Sequence, residues 1–283
     1  MSDEPLVSAE WLAAHLGDTR LRLIDIRSVV DGGARAAYEQ AHIPGSVHTD
    51  YVKDGWRATK GMATGMLPDA TALSALFGRL GLTPDQHVVI VSAGTSAGDF
   101  SAAARVYWTL RMARHARLSI LDGGMAAWVA DPARAVERGA GVTPQPTDYP
   151  VRFDPAFRAE LADVERAVSA RNEILLDSRA IAFFQGRDKS PQALRAGRLP
   201  GAIQLEHGRT FDADKRRLKT SAELRTLFAG VGAAPTIHYC NTGQQAATTW
   251  FVLSELFGRP GNRLYDGSMS EWTEDAARPV ETG

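Results

Sequence analysis

The chain has 283 residues, suited to two domains of about 100–150 residues, and its 44% hydrophobic and 23% charged content is that of an ordinary globular protein. A formal net charge of −1 argues against a nucleic-acid binder, whose basic face would show as an excess of Lys and Arg. No apolar run approaches the ~20 residues that span a bilayer, and a single cysteine rules out an intramolecular disulfide and argues against a cysteine-based zinc site.

Met1-Ser2-Asp3-Glu4-Pro5 is acidic with no apolar core behind it, so no secretory signal is expected. The histidines show no close pairing of a metal-binding kind, and His42 and His48 read as loop and strand residues. A cytoplasmic, metal-free protein is expected. Leu23-Ile24-Asp25-Ile26-Arg27 ends in an Asp and an Arg placed to pair and to satisfy neighbouring backbone groups, and Pro44 reads as a rigid turn. Leu73, Leu76, Phe77 and Leu80 follow the spacing of an amphipathic helix that Gly81 stops. Val88-Val89-Ile90-Val91 is the short, wholly apolar run of a strand buried on both faces of a parallel sheet, and Ser92-Ala93-Gly94 follow it. Asp122-Gly123-Gly124-Met125 leads to Trp128, read as a core residue carried on a helix. Gly139 to Pro150 holds three prolines and two glycines, which continue neither helix nor sheet.

Beyond that linker the chain repeats itself. Asp25 recurs as Asp177, in Leu175-Leu176-Asp177-Ser178-Arg179; Pro44 recurs as Pro200, in Arg198-Leu199-Pro200-Gly201-Ala202-Ile203; Trp128 recurs as Trp272, after Tyr265-Asp266-Gly267-Ser268-Met269. The offsets are 177 − 25 = 152, 200 − 44 = 156 and 272 − 128 = 144, in the same order. Thr236-Ile237-His238-Tyr239 takes the place of the buried strand, and Ala246, Trp250, Leu253 and Phe257 mark a helix ended by Gly258. The basic run Asp214 to Lys219 reads as a solvated segment. Strands alternating with helices make this an α/β fold with helices covering a mainly parallel sheet. Domains are expected at 5–135 and 151–282, joined by a linker at 136–150.

The chemistry points to Cys240. It ends the strand Thr236–Tyr239 and is followed by Asn241, Thr242, Gly243, Gln244 and Gln245 before a helix opening at Ala246-Ala247. Ligands of open α/β sheets bind at the carboxyl ends of strands. A short loop curling into a helix turns several N–H groups inward as an anion nest, and the helix dipole adds to it. Both effects favour the thiolate, the reactive species. Without that setting, a lone cysteine is a small buried hydrophobe.

The repeated Asp-x-Arg, the His-Ile-Pro-Gly and Asp-Gly-Gly-x-x-x-Trp motifs and the cysteine loop resemble tandem-domain rhodaneses, the thiosulfate and 3-mercaptopyruvate sulfurtransferases. The resemblance covers nearly the whole chain. It implies two tandem rhodanese-like domains, each a mainly parallel sheet with helices on both faces, the first without an active cysteine. Ser92 stands about where Cys240 would fall, with five or so extra residues before the equivalent helix. It further implies a cofactor-free cycle in which Cys240 takes sulfur from a small-molecule donor, carries it as a persulfide held by the loop 241–245, and yields it to cyanide, a thiol or a protein acceptor. Asn241 and Thr242 match neither the basic residues of thiosulfate-specific members nor the small pair of mercaptopyruvate-specific ones, and Phe183 replaces the arginine that the latter place after Asp-x-Arg. Arg187 and Lys189 are the nearest cations in sequence and the candidates for attracting thiosulfate. The sequence permits Met62, Thr64 and Met66 to line the pocket mouth. Three alternatives stand beside a thiosulfate enzyme: a 3-mercaptopyruvate sulfurtransferase, a sulfur-relay or redox-sensing module, and a cysteine phosphatase. The last lacks its phosphate-gripping Arg, since Ala246 occupies that place.

Overall fold

The computed structural model describes residues 4–283; the opening Met1-Ser2-Asp3 lies outside the described residues. The strands in chain order are β1 (Leu6–Val7), β2 (Leu21–Asp25), β3 (Val47–His48), β4 (Ala58–Lys60), β5 (Ala63–Met66), β6 (His87–Val91), β7 (Arg117–Leu121), β8 (Ile174–Asp177), β9 (Ile203–Gln204), β10 (Phe211–Asp212), β11 (Arg217–Leu218), β12 (Thr236–Tyr239) and β13 (Asn262–Leu264). They form two larger sheets, ordered β1-β7-β6-β2-β3 and β13-β12-β8-β9, in which every pair is parallel. The apolar runs foreseen from the sequence, Val88–Val91 and Thr236–Tyr239, are the buried strands β6 and β12 of these sheets.

Successive residues of β8 face opposite ways and meet different helices. Leu175 packs in one cluster with Val164, Ala167, Met269 and Trp272, while Leu176 packs in another with Leu224, Val252 and Leu253. Each sheet is therefore a layer between helices. Burial of a Val, Leu or Ile of this kind contributes roughly 1.5–3 kcal/mol, so Val88 to Val91, all inaccessible to solvent, are a main anchor of the first sheet.

The local signals act as their chemistry requires. Asp69 caps the helix Ala70–Arg79 through a hydrogen bond from the Ala72 amide, and Gly81, with φ of +63°, ends it. The turns at Pro44-Gly45 and Pro200-Gly201 place proline first and a glycine of φ +74° second, closed by Ser46 N–H to Ile43 O and Ala202 N–H to Leu199 O. The helix Gln244–Phe251 runs into a wider turn over Val252–Leu256, where Phe257 N–H reaches Val252 O five residues back. That widening buries Val252 and Leu253 side by side, where regular spacing had offered Leu253 alone. Gly139 to Pro150 carries no regular structure, yet Thr147 bonds to Gly78 and Leu82, and Tyr149 is buried.

Two compact units emerge. One comprises residues up to Trp56, Pro68–Asp154 and Phe211–Leu218; the other Arg57–Leu67, Pro155–Thr210 and Lys219–Gly283. Each unit thus includes a small antiparallel hairpin drawn from the opposite repeat, β10-β11 in the first and β4-β5 in the second. In the second, the repeated Asp-Gly motif anchors the hairpin: Asp266 accepts the Leu67 amide at 2.6 Å. The basic run 214–219 is therefore only partly a solvated segment: Arg217 is exposed, but the neighbouring Leu218 is buried as the inner residue of β11.

Candidate active site

In the second unit β12 pairs with β8 so that Tyr239 lies opposite Asp177, and the chain turns at Cys240 beyond that level. Asn241, Thr242 and Gly243 make the turn, and Gly243, at φ +74° and ψ 0°, delivers the chain into the helix Gln244–Phe251. A side chain is disfavoured at that left-handed position. Among the described residues none accepts a hydrogen bond from the amides of Asn241, Thr242 or Gly243. N–H groups at a helix start are a common place for an anion to bind.

Cys240 is held from behind. Its N–H donates to Ser268 Oγ at 3.1 Å, its carbonyl accepts Met269 N–H at 3.2 Å, and the Asn241 carbonyl accepts Ser270 N–H at 3.0 Å. Arg179 forks onto Asp177 through Nε and Nη2, gives Nη2 to the Gly197 carbonyl at 2.8 Å, and reaches Asn241 Oδ1 with Nη1 at 3.4 Å. Burial opposes the guanidinium charge, but Asp177 more than offsets this and the group stays more basic than usual. Read from sequence as scaffold, Arg179 also touches the cysteine loop. Gly65 of β5 lies against it too: a Cβ there would fall 1.9 Å from the Thr242 carbonyl oxygen. The hairpin that carries Met62, Thr64 and Met66 therefore abuts this loop through Gly65, with Met62 and Thr64 exposed and Met66 buried.

Cys240 itself is 1% exposed, while Asn241, Thr242, Gln244 and Gln245 are half-buried and Gly243 is buried. Behind Cys240 runs a buried polar chain from Ser178 through Thr249 and His238 to Asn262. Arg187 and Lys189 are exposed and turn to local partners, Gln185 Oε1 at 2.9 Å and the Ala193 carbonyl at 2.8 Å, with no contact to the cysteine loop. Among the described residues no group of three or more His, Cys, Asp or Glu could hold a metal ion, and no helix is long and apolar enough to cross a membrane.

The first unit repeats the frame with a different content. Ser92 follows β6 as Cys240 follows β12, and Met125 N–H to Ser92 O and Ala126 N–H to Ala93 O match the bonds made by Met269 and Ser270. The helix opens five residues after Ser92 (97 − 92) and four after Cys240 (244 − 240), so the two loops differ by one residue, less than the sequence suggested. Here the amides of Ala93, Gly94 and Thr95 all donate to the buried carboxylate of Asp99, at 3.1, 2.6 and 3.2 Å. Burial pushes that carboxyl above its ordinary range, with the three amides pulling the other way. Asp99 is the third residue of its helix; the third residue of the other helix is Ala246.

A family model described as a rhodanese-like domain matches residues 8–131 and 160–275. The chain is 33% identical to the thiosulfate sulfurtransferase of Corynebacterium glutamicum, over 99% of this chain and 91% of that protein. It is 31% identical to the 3-mercaptopyruvate sulfurtransferase of Escherichia coli, over 99% of each. The solved structure of SseA from Escherichia coli, presented among 3-mercaptopyruvate sulfotransferases, superposes with a TM-score of 0.79 at 28% identity, over 94% of this chain and 98% of that one.

Proposed function

The chain belongs to the rhodanese-like family, and from that premise we propose that it is a sulfurtransferase that moves sulfur from thiosulfate to cyanide or a thiol through a persulfide on Cys240. The supporting observation is the contrast between two loops of one design: the amides beside Cys240 are open, and those beside Ser92 are closed by Asp99.

In the first half-reaction the Cys240 thiolate attacks the outer sulfur of thiosulfate. The sulfur–sulfur bond of the donor breaks and sulfite leaves with the electron pair. The terminal sulfur now carries the negative charge, and the N–H groups of Asn241 to Gln245 are the donors assigned to it. In the second half the acceptor attacks that terminal sulfur and the Cys240 thiolate leaves, giving thiocyanate from cyanide or a persulfide from a thiol. Electrons balance without a cofactor, and the covalent intermediate divides one difficult transfer into two. A thiol that has to stay reduced suits the cytoplasm.

Thiosulfate is favoured over 3-mercaptopyruvate by the missing carboxylate clamp. Phe183 supplies no cation, and the guanidinium that does reach the loop, Arg179, is committed to Asp177 and Gly197. A carboxylate donor therefore lacks the bidentate partner that planar recognition uses. Turnover with each donor, measured against Cys240→Ser as blank, decides between them. A higher kcat/KM for 3-mercaptopyruvate would overturn the donor assignment, and turnover with neither would replace the enzyme by a sulfur relay that accepts from a protein.

Arg187 and Lys189, exposed and engaged locally, would act on a dianionic donor only through the screened field. Replacing both by Gln is expected to raise the KM for thiosulfate about two- to threefold at low salt and not at all near 0.5 M salt. An equal KM at both salt concentrations would take them out of the site.

A further inference from the structure

Ser268 occupies a backbone conformation that L residues rarely adopt, with φ of +50°, and is fully buried. The matching residue of the first repeat is Gly124, at φ +54°. There a side chain has no room, since a Cβ would fall 2.3 Å from Ser92 O and 2.8 Å from Gly94 N. The second unit thus keeps a strained serine where its duplicate keeps an unstrained glycine. Strain of this sort persists where the surroundings over-determine it, and functional sites are where it gathers.

The serine hydroxyl supplies what glycine cannot. Ser268 Oγ accepts the Cys240 amide at 3.1 Å and donates to the Tyr265 carbonyl at 2.8 Å. The next residue, Met269, takes the Cys240 carbonyl at 3.2 Å. The peptide groups on both sides of Cys240 are therefore fixed from one short helix, Ser268–Trp272, which sets the direction of the Cα–Cβ bond and hence where the sulfur lies within the loop.

We propose that Ser268 is a positioning residue for sulfur transfer, its hydroxyl aiming Cys240 at the loop amides at the expense of local backbone strain. The proposal rests on the sulfurtransferase function above. Two variants separate aim from stability. Ser268→Gly removes the hydroxyl and the strain together, whereas Ser268→Ala removes the hydroxyl and keeps the strain.

If Ser268 positions Cys240, both variants lose kcat about tenfold with KM for thiosulfate within about twofold, although the glycine variant melts higher than the alanine one. Wild-type kcat in Ser268→Gly, or losses that follow the melting temperatures, would overturn it. Should the wild-type protein load no sulfur from thiosulfate, the donor assignment fails separately, and iodoacetamide labelling of Cys240 reads the positioning instead. Labelling several-fold slower in both variants supports the role, and an unchanged or faster rate refutes it.

Discussion

Cys240→Ser is expected to bring sulfur transfer down to the uncatalysed level, a loss of about 10⁴-fold or more. The hydroxyl differs little in volume from the thiol, so the site is not emptied, and the backbone bonds that hold residue 240, from its own N–H to Ser268 and from Met269 to its carbonyl, do not involve the sulfur. The melting temperature should therefore move by no more than a few degrees, a shift worth about 1 kcal/mol. The chemistry does not survive the exchange. A serine hydroxyl is hardly ionised near neutral pH, and its oxygen cannot take the place of the thiolate as a reversible sulfur carrier. Mass spectrometry of the intact protein after thiosulfate treatment makes the distinction directly. The wild-type chain should gain one sulfur atom and the serine chain none. With the only cysteine gone, any gain by the variant, or turnover above a tenth of wild type, would place the carrier elsewhere.

Acid should loosen both units well before the carboxylates titrate. Burial pushes His238 down to about 4, and its two ring nitrogens lie 2.9 Å from Thr249 Oγ1 and 3.0 Å from Asn262 Oδ1. Asn262 gives its amide group to the Arg259 carbonyl, so its oxygen takes Nε2–H, and Nδ1 lies against the Thr249 hydroxyl. Protonation puts a charge in a wholly buried site. His115 of the first unit is in the same position: burial brings it to about 4, with Nε2–H on the Gln86 carbonyl at 3.0 Å and Nδ1 accepting from Tyr149 Oη at 2.6 Å. The unfolded chain, with ordinary histidines, binds these protons first. The stabilisation is therefore complete above about pH 6.5 and is lost as pH falls towards 4, amounting to about 2 kcal/mol per histidine by pH 5. Urea midpoints measured at pH 7 and pH 5 test this. His238→Gln should flatten the dependence of the second unit, and equal midpoints at both pH values would mean that neither ring is buried neutral.

Much of the frame was legible because its causes are local. An unbroken apolar run gives β6, a capped 3.6-residue pattern gives the helix Ala70–Arg79, and a Pro-Gly pair gives each tight turn. Cys240 was legible for a related reason, since strand, short loop and helix start can each be read from neighbouring residues. What escaped depends on residues far apart in the chain. Asp266 stood out as part of a repeat, yet its partner, Leu67, comes from the opposite half, as do the hairpins β4-β5 and β10-β11 of the two units, and no periodicity records that exchange. Ser268 went unnoticed although one signal was present: the motif reads Asp-Gly-Gly in the first repeat and Asp-Gly-Ser in the second. Arg187 and Lys189 drew attention by nearness in sequence, whereas the cation that meets the loop, Arg179, looked engaged by Asp177 alone.

Amides gathered at the end of a buried strand pose an electrostatic problem wherever no guest is bound to them. Asp99 resolves it from within by furnishing a permanent tenant for the first unit's cradle. Restoring a thiol alone, by Ser92→Cys, should leave that half inert, since the incoming sulfur anion would compete with a tethered carboxylate. Only eviction of that tenant as well, by Asp99→Ala, should allow a second sulfur atom to load, so two residues rather than one are expected to keep this half from carrying sulfur.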